Sequence, residues 1–155
     1  MTSRFCPEFY TLSVARITVI GTGYVGLSSG ACLAHLGHQV ICADIDETKI
    51  ASLIVGQVPI VEDGLDALVV DGLSSGNLSF TTDVVGAAMT GEIVFLCLPT
   101  PQGDDGSADL SYVHSVVDQI GGTLPAGAVL VNKSTVPVGT GAEVAARIGR
   151  DDRSE

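Results

Sequence analysis

Hydrophobic and polar positions along this chain divide it into short, continuously apolar runs and longer segments with helical spacing. The apolar runs predict five strands, at residues 16–20, 39–43, 78–81, 93–98 and 128–131. Segments with apolar residues three and four apart predict helices at residues 23–36, 47–55, 64–73, 84–88, 110–120 and 141–148. Continuously apolar strands separated by helices indicate a parallel sheet covered on both faces. The pattern therefore predicts an α/β, Rossmann-like, doubly wound parallel sheet.

The glycine-rich segment after the first strand has the spacing of a dinucleotide-binding turn. Its residues are Gly21, Thr22, Gly23, Tyr24, Val25 and Gly26. Gly21 allows the tight turn, Gly23 lets the backbone approach a pyrophosphate, and Gly26 lets the next helix pack close to the strand. The start of that helix presents N–H groups and a partial positive charge to phosphates. Because strand, turn and helix occur together, a dinucleotide site is favoured over an ordinary glycine-rich turn.

An acidic residue, Asp44, ends the second predicted strand, at the separation from the glycines where ribose-binding acids occur. Its carboxylate can accept hydrogen bonds from both ribose hydroxyls of an adenosine. The same charge would repel a 2′-phosphate, and no Arg follows closely to reverse that preference. The sequence therefore predicts NAD rather than NADP as the cofactor.

Hydroxyl side chains follow the fourth and fifth predicted strands. Thr100 lies in the segment 98–101, and Ser134 and Thr135 lie in the segment 132–137. Prolines in both segments favour an extended backbone. Because the carboxyl ends of parallel strands meet at one edge of the sheet, we expect these hydroxyls beside the glycine-rich turn and in contact with a bound cofactor.

Composition narrows the class of protein and the partners. A chain of 155 residues with 46% apolar residues is long enough for one domain with its own core. The net charge of -11 argues against nucleic acid or an anionic membrane as a partner. No apolar run approaches the ~20 residues needed to span a bilayer.

The four cysteines, Cys6, Cys32, Cys42 and Cys97, have neither CxxC nor metal-ligand spacing. The last three lie within apolar helix or strand patterns. They are therefore predicted to be buried, reduced thiols of a cytoplasmic protein, and no metal site is expected.

The two ends of the chain are expected to lie outside the fold. Residues 1–13 lack the charged start and apolar core of a signal peptide, and we interpret them as a leader, with natural translation starting at Val14. Residues 14–149 are predicted to form a single NAD-binding domain. The polar tail at 150–155 is expected to be frayed.

An ordered series of motifs resembles the nucleotide-sugar dehydrogenases of the UDP-glucose 6-dehydrogenase group. The series comprises Gly21–Leu27, Asp44–Asp46 with Lys49-Ile50, Pro59-Ile60, Glu62, Gly64-Leu65, Phe80–Asp83, Pro99–Pro101 and Lys133–Thr140. The likeness covers about residues 15–141, and the ordered series is far more specific than any single motif. Asp63 stands where this family usually has proline, which affects one loop and not the assignment.

The resemblance implies roles for individual residues. Members of the family oxidise the C6 alcohol of the sugar twice, converting UDP-glucose and two NAD to UDP-glucuronate. By resemblance, Asp44 and Lys49 would hold the adenosine ribose, and Thr100 would line the nicotinamide half of the cofactor. Thr135 would contact the cofactor and help to place the water of the second oxidation, so it is the predicted catalytic residue.

The resemblance also implies that several parts of the enzyme are absent from these 155 residues. A sixth strand, a central helical domain and a third domain with the nucleophilic cysteine would follow in the family. None of the four cysteines matches that cysteine's motif. We therefore expect a truncated chain whose sheet lacks its last strand, which binds a UDP-sugar only if the missing domains are supplied, and which is inactive alone. Its exposed strand edge is predicted to favour self-association.

Two other hypotheses remain open from the sequence. One is a fragment of a different NAD-dependent dehydrogenase, such as one acting on 3-hydroxy acids, although the segment Lys133–Thr140 argues against it. The other is a non-catalytic dinucleotide-binding module.

Overall fold

A computed structural model describes residues 13–103 and 106–149, which form a parallel sheet with helices on both faces. The strands are β1 (Arg16–Ile20), β2 (Gln39–Ala43), β3 (Leu78–Thr81), β4 (Ile93–Leu96) and β5 (Val129–Asn132). The helices are α1 (Tyr24–His35), α2 (Glu47–Ile54), α3 (Leu65–Ser75), α4 (Val84–Ala88), α5 (Ser111–Ile120) and α6 (Thr140–Arg147). The predicted α/β class is confirmed, and each predicted element is present.

The strand order β3-β2-β1-β4-β5 places the first strand in the middle of the sheet. Every neighbouring pair is parallel, with Ile17 opposite both Val40 of β2 and Ile93 of β4. This order is that of the first five strands of the dinucleotide-binding fold, and the direction of winding reverses between β1 and β4. A ligand crevice is expected at this reversal, beyond the carboxyl ends of the strands.

Three strand boundaries differ from those predicted by the apolar pattern. β4 ends at Leu96 rather than Leu98, because the Leu98 N–H donates to the Ser134 hydroxyl at 3.0 Å instead of continuing the ladder. β5 begins at Val129 rather than Ala128, because the Ala128 N–H donates to the Pro125 carbonyl in the preceding turn. β5 also ends at Asn132 rather than Val131, because Asn132 still pairs with Leu96 of β4. All three differences come from hydrogen bonds, which hydrophobicity does not report.

The sheet separates two apolar cores. On one face, Leu27 of α1 and Val69 of α3 pack in the same cluster as Val19 of β1. On the other face, Val113, Val117 and Ile120 of α5 pack with Ile20 and Leu96. Burial on both faces accounts for the continuously apolar strands. Before α5, Asp109 lies one residue ahead of the N-cap residue Leu110 and accepts the Ser111 N–H at 2.9 Å.

The cysteine prediction is correct for one residue and wrong for another. Cys42 is fully buried, Cys97 is half-buried, and Cys32 is exposed. Small residues such as Gly30 form the face of α1 that meets the sheet, where an added Cβ would overlap the Cys42 sulfur. Cys32 lies on the opposite face of the same helix and therefore contacts solvent. Cys6 lies outside the described residues.

Residues 1–12 of the predicted leader at 1–13, and the predicted tail at 150–155, lie outside the described residues. None of the described helices has the length and hydrophobicity needed to cross a lipid bilayer.

Candidate functional site

A cavity of about 820 Å³ opens at the carboxyl ends of the strands, where the sheet reverses its winding. The segments that follow β1, β2, β4 and β5 all contribute to its wall. Of the residues predicted from the sequence, those on the wall are Gly21, Gly23, Tyr24, Val25, Asp44, Lys49, Thr100, Ser134 and Thr135. The structure thus brings together segments that are far apart in the chain, as the prediction required. Thr22 and Gly26 lie behind the wall.

The three glycines of the turn meet different constraints. Gly21 has a φ of 97°, and a Cβ there would overlap the Cys97 carbonyl. A Cβ at Gly26 would overlap the Gly21 carbonyl, so these two glycines allow the turn and the close packing of α1. A Cβ at Gly23 would meet no atom within 4 Å. Packing therefore does not require glycine at position 23, and the space beside its Cα is open to a ligand.

The start of α1 is the electropositive feature of this turn. Gly23 is its N-cap residue, and no described side chain accepts a hydrogen bond from its first turn. N–H groups at an uncapped helix start carry partial positive charge and bind phosphate oxygens. Gly23 and the start of α1 therefore form a cradle of the shape and polarity that a pyrophosphate requires.

Thr22 connects this turn to the acid at the end of β2. Its backbone N–H and its hydroxyl donate to Oδ2 of Asp44 at 2.8 and 2.7 Å. The Thr22 side chain is fully buried, so it positions the carboxylate from behind and does not face the cavity. The sequence identified Thr22 as part of the turn but gave no sign of this bond.

Asp44 is held by further donors from α2 and the segment before it. Lys49 Nζ lies 3.0 Å from Oδ2, and the Asp46 N–H donates to Oδ1 at 3.1 Å. Burial acts to raise the pKa of Asp44, but the hydrogen bonds from Thr22, Asp46 and Lys49 outweigh it and hold the pKa below the ordinary 3.8. Asp44 is therefore an anion at neutral pH and a fixed acceptor on the cavity wall.

The three predicted hydroxyls differ in their availability. Ser134 accepts the Leu98 N–H and donates to the Leu98 carbonyl at 2.8 Å, so its hydroxyl is occupied in joining two loops. Thr100 donates to the Thr135 carbonyl at 2.9 Å. The Thr135 hydroxyl is exposed on the cavity wall and has no hydrogen-bond partner among the described residues. The expectation that all three hydroxyls face a cofactor needs this correction for Ser134, whose donor and acceptor both serve the fold.

Helix α5 lines one side of the cavity, which was not predicted from the sequence. Tyr112, Ser115, Val116 and Gln119 line it, at helical spacing and beside the stripe that packs on the sheet. The spacing was visible in the sequence. That this second stripe faces a cavity depends on how α5 lies over the sheet, which periodicity does not specify.

Both lysines of the chain line the cavity, in a protein with a net charge of -11. Lys49 pairs with Asp44, whereas Lys133 forms no ion pair with any described residue. The sequence reading did not single out Lys133. The sequence contains only two lysines, and this scarcity could have drawn attention to Lys133. Two cations on one cavity wall favour an anionic ligand.

The segment before α3 is joined to α1 next to the glycine-rich turn. Glu62 accepts a hydrogen bond from the Ser28 hydroxyl at 2.8 Å. The nearby Glu62 carboxylate, through hydrogen bonding and its charge, raises the pKa of Tyr24. Asp63, which stands in place of the usual proline, leaves this link to α1 intact.

A family model matches residues 15–155, and its description is the NAD-binding domain of the UDP-glucose/GDP-mannose dehydrogenase family. This chain belongs to that family. The resemblance inferred from the motifs is thereby confirmed, and so is NAD as the cofactor. Family membership also decides against a fragment of a 3-hydroxy acid dehydrogenase.

Relatives within the family show how much of it this chain covers. A UDP-glucose 6-dehydrogenase of Rhizobium meliloti is 52% identical over 130 residues, which are 83% of this chain and 30% of that protein. A solved UDP-glucose dehydrogenase of Pyrobaculum islandicum has a TM-score of 0.83 at 36% identity, covering 88% of this chain and 32% of that one. A GDP-mannose dehydrogenase of Pseudomonas aeruginosa, solved as a ternary complex, has a TM-score of 0.79 at 36% identity, covering 88% and 33%. The chain thus spans about a third of these relatives.

Proposed function

We propose that this chain is the cofactor-holding part of an NAD-dependent UDP-glucose 6-dehydrogenase. The observation that carries the proposal is the cavity wall that joins an open glycine turn, a held carboxylate and two lysines. Relatives named for UDP-glucose favour that sugar nucleotide over GDP-mannose. The overall reaction is the oxidation of UDP-glucose to UDP-glucuronate with two NAD.

The described residues fit an NAD molecule laid across the switch point. The uncapped start of α1 would bind the pyrophosphate above Gly23, which has open space at its Cβ position. Asp44 and Lys49 would hold the adenosine ribose. The nicotinamide half would then extend toward Thr100 and Thr135, on the far side of the sheet reversal.

NAD supplies the hydride acceptor in this chemistry, and the chain's own residues position it. Thr100 holds the backbone of Thr135 through the bond to its carbonyl. The Thr135 hydroxyl can therefore present a donor and an acceptor from a fixed loop. We assign it the contact with the cofactor and the placement of a water for the second oxidation.

The described thiols are poor candidates for the nucleophile of the second oxidation. Burial raises the pKa of Cys42 to about 12, and it also raises the pKa of Cys97 despite the nearby Lys133. A thiol reacts as its thiolate, so both are poor nucleophiles at neutral pH. Cys32 lies on α1 outside the cavity wall. A nucleophile would have to come from elsewhere.

Titration calorimetry and a spectrophotometric assay test the proposal separately. We expect the purified chain to bind NAD, to bind NADP hardly at all, and to form no NADH from NAD and UDP-glucose. Failure to bind NAD would overturn the cofactor role. UDP-glucose-dependent NADH formation that is abolished by Thr135→Ala would overturn the claim that this chain is inactive alone.

A further inference from the structure

The Asp44 carboxylate is crowded at one of its two oxygens, because Oδ2 accepts three hydrogen bonds and Oδ1 accepts one. Its four donors are the Thr22 N–H, the Thr22 hydroxyl, the Lys49 ammonium and the Asp46 N–H. An ionised carboxylate offers about four acceptor sites. One ribose hydroxyl can therefore bond to the free site on Oδ1, whereas a second hydroxyl can bond to Oδ2 only if one of the three donors there moves away.

Lys49 is the donor that is free to move. The Asp46 donor is a backbone N–H, and both Thr22 donors are fixed in a buried turn. The Lys49 ammonium lies at the end of a flexible chain, and 29% of its side chain is exposed. Its displacement would leave a cation beside the 2′-position of any ribose bound at Asp44.

We propose that Lys49 is a masked phosphate-binding cation and that Asp44 sets the choice of NAD over NADP partly by neutralising it. This inference rests on the proposed cofactor role and adds a residue that determines specificity. Lysine binds phosphate as a compact point charge, and the 2′-phosphate is the group by which NADP differs from NAD. Removing the charge of Asp44 should therefore remove its repulsion of a 2′-phosphate and also free the Lys49 ammonium to bind that phosphate.

The other lysine of the cavity provides a matched control. Lys133 follows β5, and Asp44 follows β2, which lies three positions away in the sheet. At a strand spacing of about 4.8 Å, this is about 14 Å. Loss of Lys133 removes the same charge from the same cavity at a distance from the ribose site.

The test compares NAD and NADP binding by calorimetry in five proteins. These are the wild type, Asp44→Asn, and Asp44→Asn combined with Lys49→Gln, Lys49→Arg or Lys133→Gln. Asparagine preserves the shape of the aspartate, and circular dichroism checks folding. If Asp44→Asn does not fold, Asp44→Ser takes its place in all combinations.

We expect Asp44→Asn to raise the ratio of NADP to NAD affinity by at least about tenfold, the scale of one charge-assisted hydrogen bond. Adding Lys49→Gln should abolish most of that gain, and adding Lys49→Arg should keep it. Adding Lys133→Gln should lower both affinities alike and leave the ratio unchanged.

Equal NADP affinity of Asp44→Asn with and without Lys49→Gln would overturn the inference, as would a fall in the ratio on adding Lys133→Gln. Binding of NAD by the wild type tests the proposed function separately. The comparison at Lys49 is made on NADP within the Asp44→Asn background, so it remains decisive even if the wild type binds NAD poorly.

Discussion

At the scale of single residues, neighbouring glycines of one motif serve different purposes. Gly26 is required by the fold, because a Cβ would overlap the Gly21 carbonyl. Gly23 has open space around it, so its lack of a side chain matters for the ligand. Fold and function can therefore be separated by two identical substitutions three residues apart.

Gly26→Ala should weaken folding, whereas Gly23→Ala should weaken NAD binding. We expect Gly26→Ala to lower the free energy of unfolding by about 1–3 kcal/mol, as overpacking does. Gly23→Ala should leave that free energy nearly unchanged and lower NAD affinity by about tenfold or more, because its methyl group occupies the phosphate cradle. Urea unfolding and calorimetry measure the two effects. Normal NAD binding by Gly23→Ala would contradict the assigned cradle.

The described thiols should differ in reactivity in the order of their exposure. We expect iodoacetamide to modify Cys32 first, Cys97 more slowly and Cys42 last, since burial raises the pKa of both Cys97 and Cys42. Cys97 lines the cavity, so saturating NAD should slow its modification without changing that of Cys32. Peptide mass spectrometry resolves the sites. Equal protection of Cys32 and Cys97 by NAD would point to a general stabilisation instead.

At the scale of elements, side-chain hydrogen bonds between loops set the geometry of the site. Thr22 joins the turn after β1 to the end of β2, and Ser134 and Thr100 join the segments after β4 and β5. These bonds cross between segments that the backbone ladder does not connect. The loops of the cavity wall are consequently held in position by hydrogen bonds to one another.

Thr22→Val should lower stability in a way that depends on pH. Asp44 has a lowered pKa in the fold, so its interactions stabilise the protein above the ordinary 3.8 and are lost as pH falls through the folded value. We expect Thr22→Val to cost about 1 kcal/mol at neutral pH, and the difference from wild type to shrink as pH falls below 3.8.

Thr18→Val provides the control for this measurement. The Thr18 hydroxyl is also buried and donates to the Ala87 carbonyl at 2.8 Å, which does not titrate. Its loss should cost a similar amount at every pH, as measured by urea unfolding. A Thr22→Val effect that is equally independent of pH would show that its hydroxyl does not stabilise the charged form of Asp44.

At the scale of the whole molecule, β5 forms one edge of the sheet. Among the described residues it pairs only with β4, and Val129 is 55% exposed. An apolar edge strand with unpaired backbone groups favours pairing with another chain. The net charge of -11 opposes that association.

Self-association should therefore increase with salt. Ions screen the repulsion over a Debye length of ~8 Å at physiological strength, while the strand edge is unaffected. Sedimentation velocity should show larger species at high salt, and Val129→Lys should reduce them. Val138→Lys adds the same charge at a fully exposed position away from the edge and should have less effect. A monomer at high salt with strongly protected β5 amides in hydrogen exchange would contradict this prediction.

The sequence by itself determined the fold class, the order of the elements and the cofactor. Continuously apolar strands reflect burial on both faces of the sheet, and helical spacing reflects one buried face of each helix. Both are local patterns, so the sequence alone predicts the elements. The separation of Gly21, Gly26 and Asp44 depends on one short βαβ unit. Such a unit has few ways to fold, and its motif therefore specified its geometry.

Only the tertiary structure decided which side chains of the site are free to act. Ser134 is occupied because it meets Leu98, 36 residues away, and Thr22 faces Asp44 rather than the cavity. The exposure of Cys32 and the second stripe of α5 likewise depend on how a helix lies on the sheet. Hydroxyl groups of similar chemistry differ only in the partners that distant segments bring to them, and no local pattern records those partners.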